Sequence, residues 1–376
     1  MRTPFIFLLL LFTTFALATE NSPVCKGCEL NGNRHPALVS NHLKMLYALD
    51  KRKNRCTAKG KEEFLKWQES ARNAFKEILG LTEIAKDNEG HIPKVTLSKE
   101  IEEKGDYTIQ EGTIETEINV SVAFYILRPK AQTAEPLPLA ITPHGHSAIG
   151  WKIHAGMAKS RKPDYDVAVQ AVKKGYIAIA PVTRGIADTD GTLIKDITKR
   201  NQSDCRCHNW QAILGGRSAT GERVWDLQKI LDWALKLPRV DSKRVLMLGN
   251  SGGGRATFNA AAADERISMA IVSCAFNSYV GFNGNLLFCP CNYIPGFIRK
   301  FGESWDVGAL ISPRKLLTVN GKKDKPHNVH EVDHAVNHLK ELYKISGFEN
   351  NYTHLYGEEG HQFYPNLMWP WVKNNQ

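Results

Sequence analysis

A chain of 376 residues with 42% hydrophobic and 23% charged residues can bury a substantial core, which excludes a disordered or low-complexity protein. Its formal net charge of +10 is scattered rather than blocked. The densest basic cluster, Lys51-Arg52-Lys53 with Arg55, is short, so no nucleic-acid partner is expected, and weak attraction to acidic polymers is the most the charge supports.

The first segment is set apart from the rest. Arg2 precedes an apolar run from Phe5 to Phe12 that continues to Phe15, and Ala16-Leu17-Ala18 forms a small-residue cleavage site. This pattern predicts a secretory signal peptide over residues 1–18 and an exported product, secreted or periplasmic. The run is shorter than the about 20 residues a bilayer span needs, and no Cys follows the cleavage site, so no stable membrane anchor is expected. The eight cysteines are Cys25, Cys28, Cys56, Cys205, Cys207, Cys274, Cys289 and Cys291. An even count in an exported chain favours structural disulfides of open connectivity. Cys25-Lys26-Gly27-Cys28 has metal-ligand spacing but lacks a second such pair, so no metal is assigned to it.

Residues 19–106 are expected to form an N-terminal helical extension. Pro36 to Asp50 and Lys61 to Leu81 carry helical periodicity, and Phe64, Trp67, Ala71, Phe75 and Ile78 share one apolar face. Alternation from Tyr107 to Leu127 marks antiparallel strands at the start of a main domain over residues 107–376. Beyond Pro136, apolar runs at Leu137–Thr142, Tyr176–Val182, Arg244–Gly249, Ile267–Cys274, Lys315–Asn320 and Tyr352–Tyr356 read as buried strands. Helical segments at Asp166–Lys173, Arg223–Leu237, Gly254–Ala263 and Val329–Ile345 fall between them. The fold class is therefore α/β: a mostly parallel central sheet with helices on both faces. Ligands in such sheets bind beyond the carboxyl edge of the strands. Residues 276–304, rich in Gly, Pro, Cys and aromatics, break the rhythm and are expected to form an insertion at the mouth of the site.

Gly249-Asn250-Ser251-Gly252-Gly253 matches GxSxG between a strand and a helix. A serine there sits on a sharp turn with its hydroxyl above the sheet, and side chains two positions away would strike packed backbone. The Gly252 N–H, at the start of the helix, is placed as an oxyanion donor. A serine nucleophile needs a base, and the base an orienting carboxylate. Asp324 follows the strand Lys315–Asn320, and His361 follows Tyr352–Tyr356, in the chain order expected of such sites. Glu358 and Glu359 lie too near His361 in sequence to orient it easily, while His327, His330, His334 and His338 are rival bases read as surface residues. Gly360 is expected to give the tight turn that aims the imidazole. The loop Pro143-His144-Gly145-His146 follows an earlier strand, so the His146 N–H is the expected second oxyanion donor. Two histidines at this spacing without nearby carboxylates are a weak metal signal, and no cofactor or metal is expected.

Pro143-His144-Gly145-His146, Thr183-Arg184-Gly185, Arg223-Val224-Trp225-Asp226-Leu227 and Gly249-Asn250-Ser251-Gly252-Gly253-Gly254 together resemble the dienelactone-hydrolase and acetyl-xylan-esterase branch of α/β-hydrolases. Cys289-Pro290-Cys291-Asn292-Tyr293-Ile294-Pro295-Gly296 and Ile311-Ser312-Pro313-Arg314-Lys315-Leu316-Leu317 resemble a bacterial secreted subgroup of it. The resemblance implies a triad of Ser251, Asp324 and His361 and cofactor-free hydrolysis of esters, such as acyl groups on plant or algal polysaccharide. It implies structural roles for Arg184, Trp225 and Asp226. Dienelactone hydrolases use a Cys nucleophile, so Ser251 points away from dienelactone, and Cys205-Arg206-Cys207 has no place in the family pattern. A serine peptidase on the same fold and a catalytically inactive binding protein are the alternatives.

Overall fold

The structure is a computed structural model that describes residues 42, 45–131, 133–187, 195–196, 202–203, 205–281 and 287–376. The expected signal peptide, Cys25, Cys28 and most of the expected helix at Pro36–Asp50 lie outside the described residues.

Helix α1 (Lys61–Leu79) buries Phe64, Ala71, Phe75 and Leu79, as its three-and-four spacing requires. Phe64 and Phe75 are fully buried, and each contributes on the order of 2–3 kcal/mol. Two polar side chains on the same face are satisfied by the main domain. Gln68 Nε2 donates to the carbonyls of Ala309 (2.9 Å) and Ser312 (2.7 Å). Arg72 Nη1 donates to Ala262 O at 3.0 Å. The helix stops at Gly80, whose φ of +81° suits a residue without a Cβ, and α2 (Leu81–Asp87) begins there.

Two short strands, β1 (Val95–Leu97) and β2 (Glu102–Lys104), follow and pair with β3 (Tyr107–Glu117). Residues 95–97 and 102–104, within the segment expected to be helical, thus belong to the central sheet. Strand β3 pairs antiparallel with β4 (Val120–Pro129). The chain continues through β5 (Leu137–Ile141), α3 (Gly150–His154), α4 (Val167–Val172) and β6 (Ile177–Pro181). A two-residue pair, β7 (Lys195–Asp196) and β8 (Gln202–Ser203), precedes α5 (Cys205–Leu214) and α6 (Ala219–Ala234). Then come β9 (Val240–Asn250), α7 (Gly252–Ala263), β10 (Met269–Ser273), α8 (Phe297–Lys300) and α9 (Ser304–Ala309). Last are β11 (Lys315–Gly321), α10 (Val329–Ile345), β12 (Tyr352–Gly357) and α11 (Pro365–Asn375).

The sheet order is β1-β3-β4-β6-β5-β9-β10-β11-β12, with β2 beside β3. From β6 to β12 every neighbouring pair is parallel. Strands β6 and β10 are buried along their whole length, the mark of a sheet covered by helices on both faces. The chain leaves β5 toward β6 and returns to β5's other side as β9. The order therefore reverses between β5 and β9, and such a switch opens a crevice at the carboxyl edge. The loop of Gly145 and the turn of Ser251 leave these two strands.

Candidate active site

Ser251 follows β9 with φ +56° and ψ −122°, outside the regions an L residue prefers. Such a conformation costs about 1–3 kcal/mol and persists where the surroundings over-determine it. Here the Ser251 N–H donates to Ser273 O at 2.9 Å, and its carbonyl accepts from Arg255 N at 2.9 Å. The flanking glycines are steric necessities. A Cβ on Gly249 would lie 2.4 Å from the Gly253 carbonyl carbon, and one on Gly253 would lie 2.1 Å from Pro143 O.

The loop after β5 packs directly on this elbow. A Cβ on Gly145 would sit 2.8 Å from Asn250 O and 3.5 Å from Gly252 N. One on Gly252 would meet the His146 ring at 3.0 Å. Gly252 is the first residue of α7, where backbone N–H groups have no intrahelical partner and the helix dipole favours negative charge. Gly145 and the Gly252 N–H therefore lie side by side, the neighbourhood in which a two-donor oxyanion hole would form.

His144 holds this loop. Thr183 N–H donates to its Nε2 at 2.9 Å, so the proton sits on Nδ1, which donates to Gly145 O at 2.7 Å. Thr183 Oγ1 donates to His144 O at 2.9 Å. Complete burial holds the imidazole neutral, with its pKa down at about 3.

Asp324 and His361 meet across the loops after β11 and β12. His361 Nδ1 lies 2.9 Å from Asp324 Oδ2 and 3.1 Å from Oδ1. An ionised carboxylate only accepts, so Nδ1 carries the proton and Nε2 is left as the basic nitrogen. Burial alone would raise the Asp324 pKa. The hydrogen bond from His361 and the imidazoles of His361 and His327 outweigh it and hold the carboxyl below its usual range. Glu358 and Glu359 are exposed and pair instead with Lys322 (2.6 Å) and Lys323 (3.2 Å).

Gly360 lies in the bend after β12 without a positive φ. Its constraint is close approach, since a Cβ there would lie 3.2 Å from Lys323 O in the acid's loop. His327 is not a surface residue: it is buried, with Nδ1 3.9 Å from Asp324 Oδ2 and its ring 5.6 Å from that of His361. Burial pushes its pKa down to about 4, which suits a neutral neighbour of the acid rather than a second cation. His330 and His338 are exposed, as expected, and His334 is half-buried.

Several supporting residues carry no sequence signal beyond position. Asn250 Nδ2 donates to Gln362 O at 3.0 Å and to Ser273 Oγ at 3.1 Å, while Tyr165 OH donates to Asn250 Oδ1 at 3.3 Å. Ser273 Oγ also donates to Gln362 O at 3.2 Å. The residue before the serine thus ties the elbow to the residue after the histidine. A cavity of about 460 Å³ opens over these groups, and its lining includes Gly145, His146, Tyr165, Asn250, Ser251 and His361.

Away from the cavity, Arg184 donates from Nε to Asp226 Oδ2 at 2.9 Å and from its other nitrogens to Asp226, Glu117 and Thr116. Trp225 Nε1 donates to Thr116 O at 2.8 Å. These residues join the end of β3 to α6 and the loop after β6. Among the described residues, no disulfide joins Cys56, Cys205, Cys274, Cys289 or Cys291.

The switched parallel sheet, the strained elbow and the loops gathered on its carboxyl edge define an α/β-hydrolase. The family model described as the Abhydrolase family matches residues 34–277, and this chain belongs to that family. A Bacillus subtilis (strain 168) protein named as a hydrolase, YtaP, is 23% identical over 273 residues, which make up 69% of this chain and 85% of that protein. A solved structure from Bacteroides fragilis NCTC 9343, described as an acetyl xylan esterase, matches with a TM-score of 0.72 at 18% identity. The match covers 91% of this chain and 95% of that one. The acetyl xylan esterase from Paenibacillus sp. R4 matches with a TM-score of 0.53 at 16% identity, over 89% and 99% of the two chains. At these identities the structural likeness establishes a shared fold.

Proposed function

We propose that this protein is an exported serine esterase that removes acyl groups from carbohydrate through a Ser251–His361–Asp324 triad. The observation that carries this reading is the convergence of the strained Ser251 and the Asp324-paired His361 on one cavity. The acetyl xylan esterases that share the fold support the substrate class. Exposed Lys159, Arg161 and Lys162 on the cavity rim suit a polymer that carries acidic groups. Export rests on the leader-like pattern of residues 1–18. Among the described residues, no helix is long and apolar enough to cross a membrane.

In the proposed reaction, His361 Nε2 takes the Ser251 hydroxyl proton as Oγ attacks the ester carbonyl carbon. Asp324 keeps the proton on Nδ1 and stabilises the imidazolium that forms. The oxyanion accepts from the N–H groups of Gly252 and His146, fixed in place before substrate arrives. The tetrahedral intermediate collapses, the C–O bond to the sugar breaks, and His361 returns the proton to the leaving alcohol. Water, deprotonated by His361, then attacks the acyl-serine and releases the acid. Hydrolysis of p-nitrophenyl acetate by the chain and by Ser251→Ala tests the core of this reading. Activity in the first and not the second supports it, and a screen of acetylated xylans then addresses the alcohol. Equal rates in both would remove Ser251 as the nucleophile.

A further inference from the structure

The mechanism uses only the backbone of His146, yet its imidazole points into a second cluster. His146 Nε2 lies 3.2 Å from Cys291 Sγ, and Cys205 Sγ lies 3.6 Å from Cys289 Sγ. One nitrogen and three sulfurs from these residues all fall within 4.8 Å of one another. They come from three separate segments: the loop after β5, the first residue of α5, and the 3-10 turn Pro290–Asn292 with the residue before it.

We propose that His146, Cys205, Cys289 and Cys291 form a tetrahedral site for a thiophilic divalent metal, zinc by preference. The chemistry of the donor set is that of a structural Cys₃His site. The spacing agrees. Zinc–sulfur bonds of about 2.3 Å and zinc–nitrogen bonds of about 2.0–2.1 Å give tetrahedral edges of roughly 3.8 Å between sulfurs and roughly 3.6 Å from nitrogen to sulfur. A disulfide brings its sulfurs to about 2.05 Å, and a single Cys–Cys bond would use neither the third thiol nor the imidazole.

The surroundings fit a metal complex of net charge −1, the sum of three thiolates and one dication. Arg223 is buried, and its Nη1 donates to Cys291 O at 3.2 Å and sits 3.6 Å from Cys291 Sγ. It places a positive charge beside the sulfurs. Asn209 Nδ2 donates to Pro290 O at 3.0 Å and Tyr293 O at 3.2 Å, which fastens α5 to the cysteine-bearing turn. Such outer contacts orient metal ligands. Binding releases one proton from each of the three thiols, and the imidazole coordinates as the neutral base.

Four protein ligands leave no open position for water, so the metal is a clamp rather than a reagent. It fixes the His146 ring, and with it the peptide whose N–H faces the oxyanion beside Gly252. This consequence for turnover rests on the proposed esterase reading; metal binding itself does not.

The test uses the full chain, purified under reducing conditions without chelator. Elemental analysis is expected to find one zinc per chain. Replacement by Co²⁺ is expected to give thiolate-to-cobalt charge-transfer absorption and the visible bands of tetrahedral cobalt. Cys289→Ser/Cys291→Ser loses the metal and the bands, while Cys56→Ser, altered in the N-terminal segment, keeps both. Ser251→Ala also keeps both, so a failed esterase reading leaves the metal result readable. His146→Ala weakens Co²⁺ binding and lowers kcat more than it raises KM. A metal-free chain that gives no charge-transfer band with added Co²⁺ would overturn the proposal, as would a Cys205–Cys289 disulfide mapped in the metal-free protein.

Discussion

The edge that carries Ser251, Asp324 and His361 and the segment 276–304, expected to form the mouth of the site, are held by different means. At the edge, each group follows its own strand, and backbone hydrogen bonds join the loops beside the side-chain ties of Asn250 and Ser273 to Gln362 O. Ser251 N–H donates to Ser273 O, Lys323 N–H to Glu359 O, and Lys322 N–H to Gly357 O. Glycines sit where backbone crosses backbone. At the mouth, side chains do the joining. Tyr279 OH donates to Asn292 O at 2.6 Å and accepts from Ile294 N, its ring stacks 4.2 Å from that of Phe297, and Glu303 accepts from Tyr279 N at 2.7 Å. A site built on backbone tolerates little change and holds atoms in fixed places. A segment joined by side chains can vary in shape while the edge stays constant.

The largest expected effect at the edge is chemical and not structural. Ser251→Ala should lower kcat by about 10⁶ and leave the thermal midpoint unchanged, which p-nitrophenyl acetate turnover and a melting curve would check together. Asp324→Asn should lower kcat by about 10⁴, because the imidazole loses its orienting acceptor. The same variant reports on stability. The Asp324 pKa is depressed in the folded protein, so its carboxylate stabilises above the unfolded value of about 3.9, and that contribution fades as pH falls through the folded value. The stability gap between wild type and Asp324→Asn should hold steady above about pH 5 and close below about pH 4. A gap that stays constant in acid would mean the pairing with His361 adds nothing to stability.

Behind the edge, Arg184→Ala leaves Asp226 buried without a guanidinium, while Glu117 keeps that of Arg217. A loss of about 3–5 kcal/mol in denaturant unfolding is expected, with KM close to wild type. At the mouth, Tyr279→Phe removes both hydroxyl contacts and should cost about 1–3 kcal/mol. Its effect should appear in KM for bulky esters more than in kcat for p-nitrophenyl acetate. If kcat for the small ester fell as well, the mouth would be part of the rigid edge, and the division drawn between them would fail.

The edge was legible in the sequence because its signals are local. GxSxG, the strand ends before Asp324 and His361, and Pro143-His144-Gly145-His146 each occupy a few consecutive residues. The parallel strands were legible as apolar runs. Strands β1 and β2 were not: three residues are too few for alternation to register, and Glu102-Glu103-Lys104 is exposed throughout. Helix α11 gave no clear pattern because Pro370 lies inside it, although Met368, Trp369, Trp371 and Val372 are buried. The burial of His327 depends on Phe288 and His361 closing over it, contacts with the mouth and with another strand's loop. The grouping of His146 with Cys205, Cys289 and Cys291 spans 145 residues between its first and last members, so spacing carries no trace of it. Sequence reasoning reached what a strand end determines and missed what distant segments assemble.

The central claim is that Ser251 is a nucleophile activated by the His361–Asp324 pair. The most direct measurement is reaction of the folded chain with a fluorophosphonate, followed by peptide mass mapping. One adduct per chain on the peptide of Ser251, formed far more slowly in Asp324→Asn and absent in Ser251→Ala, is the predicted result. An unlabelled but folded protein, or an adduct carried by another residue, would contradict it.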